Sequence, residues 1–180
     1  MTFKAVIIAG GASARMGADK AALAWGQNSL AAHIYTKIAA QCDEVFLSGS
    51  KDYGLPLPHF KDSPSAPKGP AAALYSALDI IGEAEGFFTV PVDAPYFPDN
   101  LCERLYGPRC AIAAAPDGLH PVFGWWLTAE LKRAFGASDL PQSLSMRRLA
   151  ALCHAREVRW EDAQLFTNLN RREDYVRHKP

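Results

Sequence analysis

Residues 9–20 read Ala-Gly-Gly-Ala-Ser-Ala-Arg-Met-Gly-Ala-Asp-Lys, directly after a short apolar run. Gly10, Gly11 and Gly17 let the backbone turn tightly with its amides toward an anion, and Arg15 and Lys20 add positive charge beside them. That combination suits a nucleoside triphosphate. Two phosphate fingerprints fail here: a P-loop needs Gly-Lys followed by Ser or Thr, whereas Lys20 stands between Asp19 and Ala21. The spacing G-x-G-x-x-G is missing too, and the second apolar run ends in Ser48 where a dinucleotide fold carries a ribose-binding acid. Hydride transfer is thereby disfavoured. The second candidate is Asp93, a carboxylate of the kind Mg2+ prefers at the end of the apolar run 86–92. A metal there would bridge phosphate oxygens of two substrates during in-line attack on an α-phosphorus, a reaction catalysed by positioning and charge neutralisation. Asp before Ala94-Pro95 equally suits simple turn initiation, so the spacing alone leaves both readings open.

Groups this far apart in the chain act together only if the fold gathers them at one edge. The run 4–9 is short, apolar and β-branched and ends at once in two glycines, the pattern of a buried parallel strand entering a loop. Leu30, Ile34 and Ile38 recur at helical spacing behind Ser29 as N-cap, which predicts a helix over 29–40. Strands are expected at 44–48, 86–92, 110–114, 120–126 and, at an edge, 156–160. Helices are expected at 69–81 with Pro70 in the first turn, and at 98–106, 128–135, 144–154 and 171–177. Alternating strands and helices imply right-handed crossovers and a mostly parallel sheet covered on both faces, an α/β three-layer sandwich. Ligands in such sheets sit at the carboxyl ends of the strands, where both candidates fall. Trp125 and Trp126 are adjacent on a strand and face opposite ways, so core packing is their expected role.

The whole chain has 180 residues, 49% hydrophobic and 21% charged, the balance of one globular domain over 1–180. Nineteen basic and nineteen acidic residues cancel, which argues against nucleic acid and membrane surfaces as partners. The cancellation is uneven: residues 1–21 hold three basic groups and one acidic, 22–142 eight and thirteen, and 143–180 eight and five. Nothing approaches the roughly 18 consecutive apolar residues of a membrane span, and the run 5–9 is too short for a signal peptide, so a cytoplasmic location is expected. Cys42, Cys102, Cys110 and Cys153 show no C-x-x-C pair and read as buried thiols.

The motif Ile7 to Leu23 resembles the L-A-G-G-x-S-x-R-M-G-x-D-K signature of the molybdenum cofactor guanylyltransferases (MobA-like), within the wider class of nucleotide-sugar-type nucleotidyltransferases. Asp62-Ser63 with Gly69-Pro70, Val92-Asp93-Ala94-Pro95-Tyr96, His120-Pro121 with Gly124, and Phe166-Thr167-Asn168-Leu169-Asn170 are similar to four further motifs of that family, in the same order. Ala71-Ala72-Ala73 stand where the family usually has another glycine, which would narrow the nucleotide pocket, and Arg171-Arg172 stand where Thr-Pro commonly follows.

The resemblance implies the Rossmann-like fold of nucleotide-diphospho-sugar transferases. It implies a Mg2+-dependent enzyme that joins GMP from GTP to molybdenum-bound molybdopterin, releasing pyrophosphate. Lys20, Arg15 and Asp93 would be catalytic, with Asp93 on the metal. Ile8, Ala9, Gly10, Gly11, Lys20, Ser48, Asp62, Gly69 and Asp93 would bind the nucleotide, and His120, Asn168 and Asn170 would lie on the pterin side. His120 before a proline reads equally as a structural histidine, and the two asparagines as loop stabilisers. Protein partners implied are molybdoenzymes or other cofactor-biosynthesis proteins. Two other readings stand beside this one: a cytidylyltransferase acting on molybdopterin or another phosphorylated acceptor, and a non-catalytic nucleotide-binding or cofactor-delivery module.

Overall fold

Lys4–Ile8, with three β-branched residues in Val6, Ile7 and Ile8, form β1, and Ala5 to Ile8 are all buried. A strand apolar on both faces belongs in the middle of a sheet, and β1 lies there, parallel to β4 (Glu44–Ser48) on one side and to β6 (Gly86–Pro91) on the other. A computed structural model describes residues 2–9, 19–136, 143–169 and 172–178. With β5 (His59–Phe60), β7 (Ala111–Ala115), β8 (Gly118–Leu127) and β9 (Arg156–Arg159), the seven-stranded order is β5-β4-β1-β6-β8-β7-β9. A separate two-stranded hairpin pairs β2 (Ala24–Trp25) with β3 (Asn28–Ser29).

The sheet is mostly parallel, as expected, and among its described strands β8 runs against its neighbours β6 and β7. The reason is local. Only Pro116 and Asp117 separate β7 from Gly118, whose φ is +132°, and a connection this short forces an antiparallel return. Reversal puts the first residues of β8, including His120, at the edge where the parallel strands end. The edge strand expected at 156–160 is β9, parallel to β7.

Helices α1 (Leu30–Ala39), α2 (Ala71–Ile81), α3 (Leu101–Leu105), α4 (Thr128–Phe135) and α5 (Met146–Leu152) cover the two faces, and α6 (Arg172–His178) closes the chain. The Ser29 hydroxyl accepts from the Ala32 amide at 3.2 Å, the expected cap, and Leu30, Ile34 and Ile38 are buried along one stripe of α1. The helix expected from 69 starts at Ala71, because Gly69 has φ +101° and a Cβ there would meet the Leu144 carbonyl at 3.3 Å. Ser145 caps α5, which trims the helix expected over 144–154 at its start.

One core cluster joins α1 and α3 to one face of the sheet through Ile34, Ile38, Leu101, Leu105, Phe88 and Trp125. The other joins α2, α4 and α5 to the opposite face through Leu74, Leu131, Leu149, Phe87 and Trp126. Each such fully buried side chain contributes on the order of 1.5–3 kcal/mol. The tryptophans divide as the pleat dictates, one to each layer. Trp125 Nε1 donates to the Gly107 carbonyl and Trp126 Nε1 to Thr89 Oγ1, both at 2.9 Å. Gly124 makes room for the second ring, since a Cβ there would lie 2.5 Å from Trp126 Nε1. Cys102, Cys110 and Cys153 are buried, Cys42 is half-buried, and all four are free thiols. Among the described residues no helix is long and apolar enough to cross a membrane.

Candidate active site

At the carboxyl edge of the sheet the chain leaves β1, β4, β5 and β6 in adjacent loops. Pairing continues a residue past the strands, with the Ala9 amide on the Ser48 carbonyl at 2.9 Å and the Val92 amide on the Ile8 carbonyl at 3.1 Å. These bonds carry the backbone straight to the two candidate loops. Lys20 opens a single 3-10 turn, Lys20–Ala22, and its Nζ lies 2.9 Å from Asp93 Oδ2. The two residues are 73 positions apart in sequence. Their side chains are 17% and 21% exposed, so the pair is reached from solvent without lying on the open surface.

A half-buried lysine and carboxylate in contact neutralise each other, and each is the natural partner of what the other would release. Lys20 can turn to phosphate oxygens, and the Asp93 carboxylate to a hard cation. Among the described residues no three His, Cys, Asp or Glu side chains cluster as a metal cage. A single carboxylate at an open edge is the donor set of a Mg2+ ion that completes its shell with substrate and water oxygens, so Asp93 fits that metal.

The remaining residues proposed from sequence fall around this pair. Ile8 is the buried last residue of β1. Ser48 is fully buried, and its hydroxyl donates over a long 3.5 Å to Asp62 Oδ1, at the start of the loop after β5. Burial raises the Asp62 carboxyl above the usual range, with the Ser48 hydroxyl opposing it. Gly69 ends that loop at α2. Ala71 and Ala73 belong to the core under α2. Their methyl groups pack the helix onto the sheet. Gly10, Gly11, Arg15 and Asn170 lie outside the described residues.

On the other side, the Leu169 amide donates to the Asp93 carbonyl at 2.7 Å, which brings exposed Asn168 beside the Asp93 loop. His120 Nε2 is 2.9 Å from Asp117 Oδ1, and its ring stacks on Phe166 at 4.9 Å. The histidine thus has structural partners on two sides while standing at the site edge. A cavity of about 370 Å3 lined by Tyr96, Asp162, Gln164, Leu165 and Thr167 opens between the segment after Asp93 and the segment before Asn168.

Three residues that sequence reasoning passed over stand next to Lys20. Asp19 receives Lys51 Nζ at 2.8 Å on Oδ2, and the Tyr53 hydroxyl lies 3.1 Å from both of its carboxylate oxygens. Burial opposes ionisation of Asp19, but the bonds from Lys51 and Tyr53 outweigh it and hold the carboxyl below its ordinary value. Burial first, and then the Asp19 carboxylate, push the Tyr53 hydroxyl up to about 12. The available signal was Tyr53-Gly54, a turn pair after a strand.

Comparison with known proteins places these features in a family. The profile of the MobA-like NTP transferase domain matches residues 5–159. A molybdenum cofactor guanylyltransferase of Rhodopseudomonas palustris (strain HaA2) is 32% identical over 94% of this chain and 87% of its own length. Among solved structures, the molybdopterin-guanine dinucleotide biosynthesis protein A of Archaeoglobus fulgidus superposes with a TM-score of 0.75 at 14% identity, covering 98% of this chain and 97% of that one. The 2-C-methyl-D-erythritol 4-phosphate cytidylyltransferase of Thermus thermophilus gives 0.68 at 16% identity, over 98% and 96%. At those identities the two structures bear on the fold alone.

Proposed function

This chain belongs to the MobA-like NTP transferase family, and from that premise we propose that it transfers GMP from GTP to molybdenum-bound molybdopterin, forming the guanine dinucleotide and pyrophosphate. The Lys20–Asp93 contact at the carboxyl edge carries the proposal, because it joins a phosphate-binding loop to a carboxylate suited to a divalent cation.

In this reading one domain over 1–180 does the chemistry. The amides of Gly10 and Gly11 would contact the triphosphate, and Ala9, whose own amide is held by the Ser48 carbonyl, would meet the nucleotide through its other atoms, while Ile8, Ser48, Asp62 and Gly69 would shape the nucleotide side. Arg15 and Lys20 neutralise charge that develops on the β- and γ-phosphates as pyrophosphate leaves. Asp93 would hold Mg2+, which when bound would supply Lewis-acid neutralisation of phosphate charge. The acceptor's terminal phosphate comes from the side of His120, Asn168 and Asn170, with its pterin toward the cavity beside Tyr96. Catalysis requires no covalent adduct with the chain, only an attacking oxygen held in line with the leaving group. A cytoplasmic enzyme that passes its product to molybdoenzymes or other cofactor-biosynthesis proteins completes the reading.

The test is the triphosphate consumed. With molybdopterin as acceptor, pyrophosphate release is expected from GTP and not from CTP; the reverse preference would sink the guanylyl assignment and favour cytidylyl transfer. GTP with Mg2+ is also expected to raise the melting temperature, and Lys20→Ala to lose most of that rise.

A further inference from the structure

We propose that Tyr53, with Lys51, is a positioning residue that holds Lys20 ready for the triphosphate by clamping Asp19. The inference rests on the reading of Lys20 as a triphosphate ligand and adds residues outside the phosphate loop to that site. Asp19 is the N-cap of the turn that carries Lys20, yet its side chain makes no cap hydrogen bond. Its backbone carbonyl closes the turn on the Ala22 amide at 3.1 Å, leaving the side chain to the segment that follows β4. There Lys51 reaches one carboxylate oxygen at 2.8 Å and the Tyr53 hydroxyl lies 3.1 Å from both. Contacts from two directions fix a carboxylate more firmly than either alone, and the residue after it inherits that placement.

Tyr53 is itself held against a cost. It has φ +53°, a left-handed conformation unfavourable for a bulky side chain, and Gly54 follows at +70°. Tyr53 is half-buried and packs against the core cluster on the α1 face while its hydroxyl meets Asp19. With its hydroxyl pushed up to about 12 and Asp19 held low, donor and acceptor keep the same charge states throughout the neutral range. The resulting relay, Tyr53 to Asp19 to Lys20 to Asp93, ties together the loops after β4, β1 and β6.

A clamp on the residue before Lys20 removes disorder that nucleotide binding would otherwise have to remove, so its loss belongs in affinity more than in the chemical step. The experiment uses the full chain and whichever triphosphate the wild type binds, GTP or CTP. In Tyr53→Phe, the Kd by calorimetry and the KM are expected to rise about five- to tenfold, the net worth of one ordinary hydrogen bond, with kcat changed less than threefold. Binding of the parent nucleoside, measured by NMR, is expected to stay within twofold. Asp19→Asn should behave alike, and the double variant should be no worse than the worse single one. An unchanged triphosphate Kd, an equal loss for nucleoside and triphosphate, or additive losses in the double variant would each overturn the clamp. If Tyr53→Phe fails to fold, the comparison of nucleoside with triphosphate in Asp19→Asn decides alone. A wild type that prefers CTP would change the proposed reaction and leave the clamp to be judged by the same ratios.

Discussion

The two ends of the sheet hold their charged and polar groups in different ways. At the amino end, side chains tie the ends of elements together. Lys4 bridges Glu44 at 3.2 Å and the Ile81 carbonyl at 3.1 Å, the Phe3 amide meets Asp43 at 2.7 Å, and Thr128 Oγ1 donates to the Ala84 carbonyl at 2.6 Å. At the carboxyl end, the partners are side chains from loops far apart in sequence: Lys20 with Asp93, Ser48 with Asp62, Lys51 and Tyr53 with Asp19. Three of these four amino-end contacts have a backbone group as one partner, Lys4–Glu44 being the exception, and they serve to hold the fold. Bonds between side chains at an accessible edge can be exchanged for those of a ligand, and the chemistry gathers there.

Substitutions at the two ends should therefore separate rate from stability. The largest effect is expected from Asp93→Asn, which keeps the shape and removes the charge proposed to hold the metal: pyrophosphate release should fall on the order of 10³-fold, with the melting temperature moved little. A transfer rate close to wild type would erase the contrast and remove Asp93 from the chemistry. Gly86→Ala should do the opposite. Its Cβ would lie 2.5 Å from the Trp126 carbonyl and 2.9 Å from the Trp125 ring, so overpacking should cost about 1–3 kcal/mol in urea unfolding while kcat of the folded fraction persists. A fully stable Gly86→Ala protein would show that the amino end yields more easily than its contacts suggest.

The smallest expected effect is acid-dependent. Asp19 is held below its ordinary value of 3.8, so its ionised form contributes stability that is full above that value and lost as pH falls through the lower folded-state value. Asp19→Asn should therefore lower the melting temperature by on the order of 1 °C near pH 7, with the difference from wild type shrinking away as the pH falls below 3.8. An equal loss at both pH values would place the effect in packing instead of charge.

Much of the fold was legible because its signals are local. Leu30, Ile34 and Ile38 behind Ser29 specify α1, and the unbroken apolar run of β1 specifies a central strand. The pair β2–β3 and the strand β5 escaped because two residues per strand show no periodicity. The direction of β8 was readable in principle from Pro116-Asp117-Gly118, a turn signal between two apolar runs. In the site, Lys20 and Asp93 stood out by residue type and by position at strand ends. Tyr53 and Lys51 did not, because their meaning lies in Asp19, 34 and 32 residues away. No spacing rule links a loop after one strand to the loop after its neighbour.

The central position of β1 also sets an order of events during synthesis. Of the strands in this sheet β1 leaves the ribosome before the others, yet its second neighbour, residues 86–91, follows some 80 residues later. At typical rates of about 5–20 residues per second, the apolar strand Ala-Val-Ile-Ile waits several seconds with one edge unpaired. The strand that leads into the glycine-rich loop is thus made before the rest of the sheet and waits for a partner on one side until β6 emerges. A nascent chain stalled before residue 86 should carry that sticky edge exposed, and be a natural client for a chaperone that recognises short apolar strands.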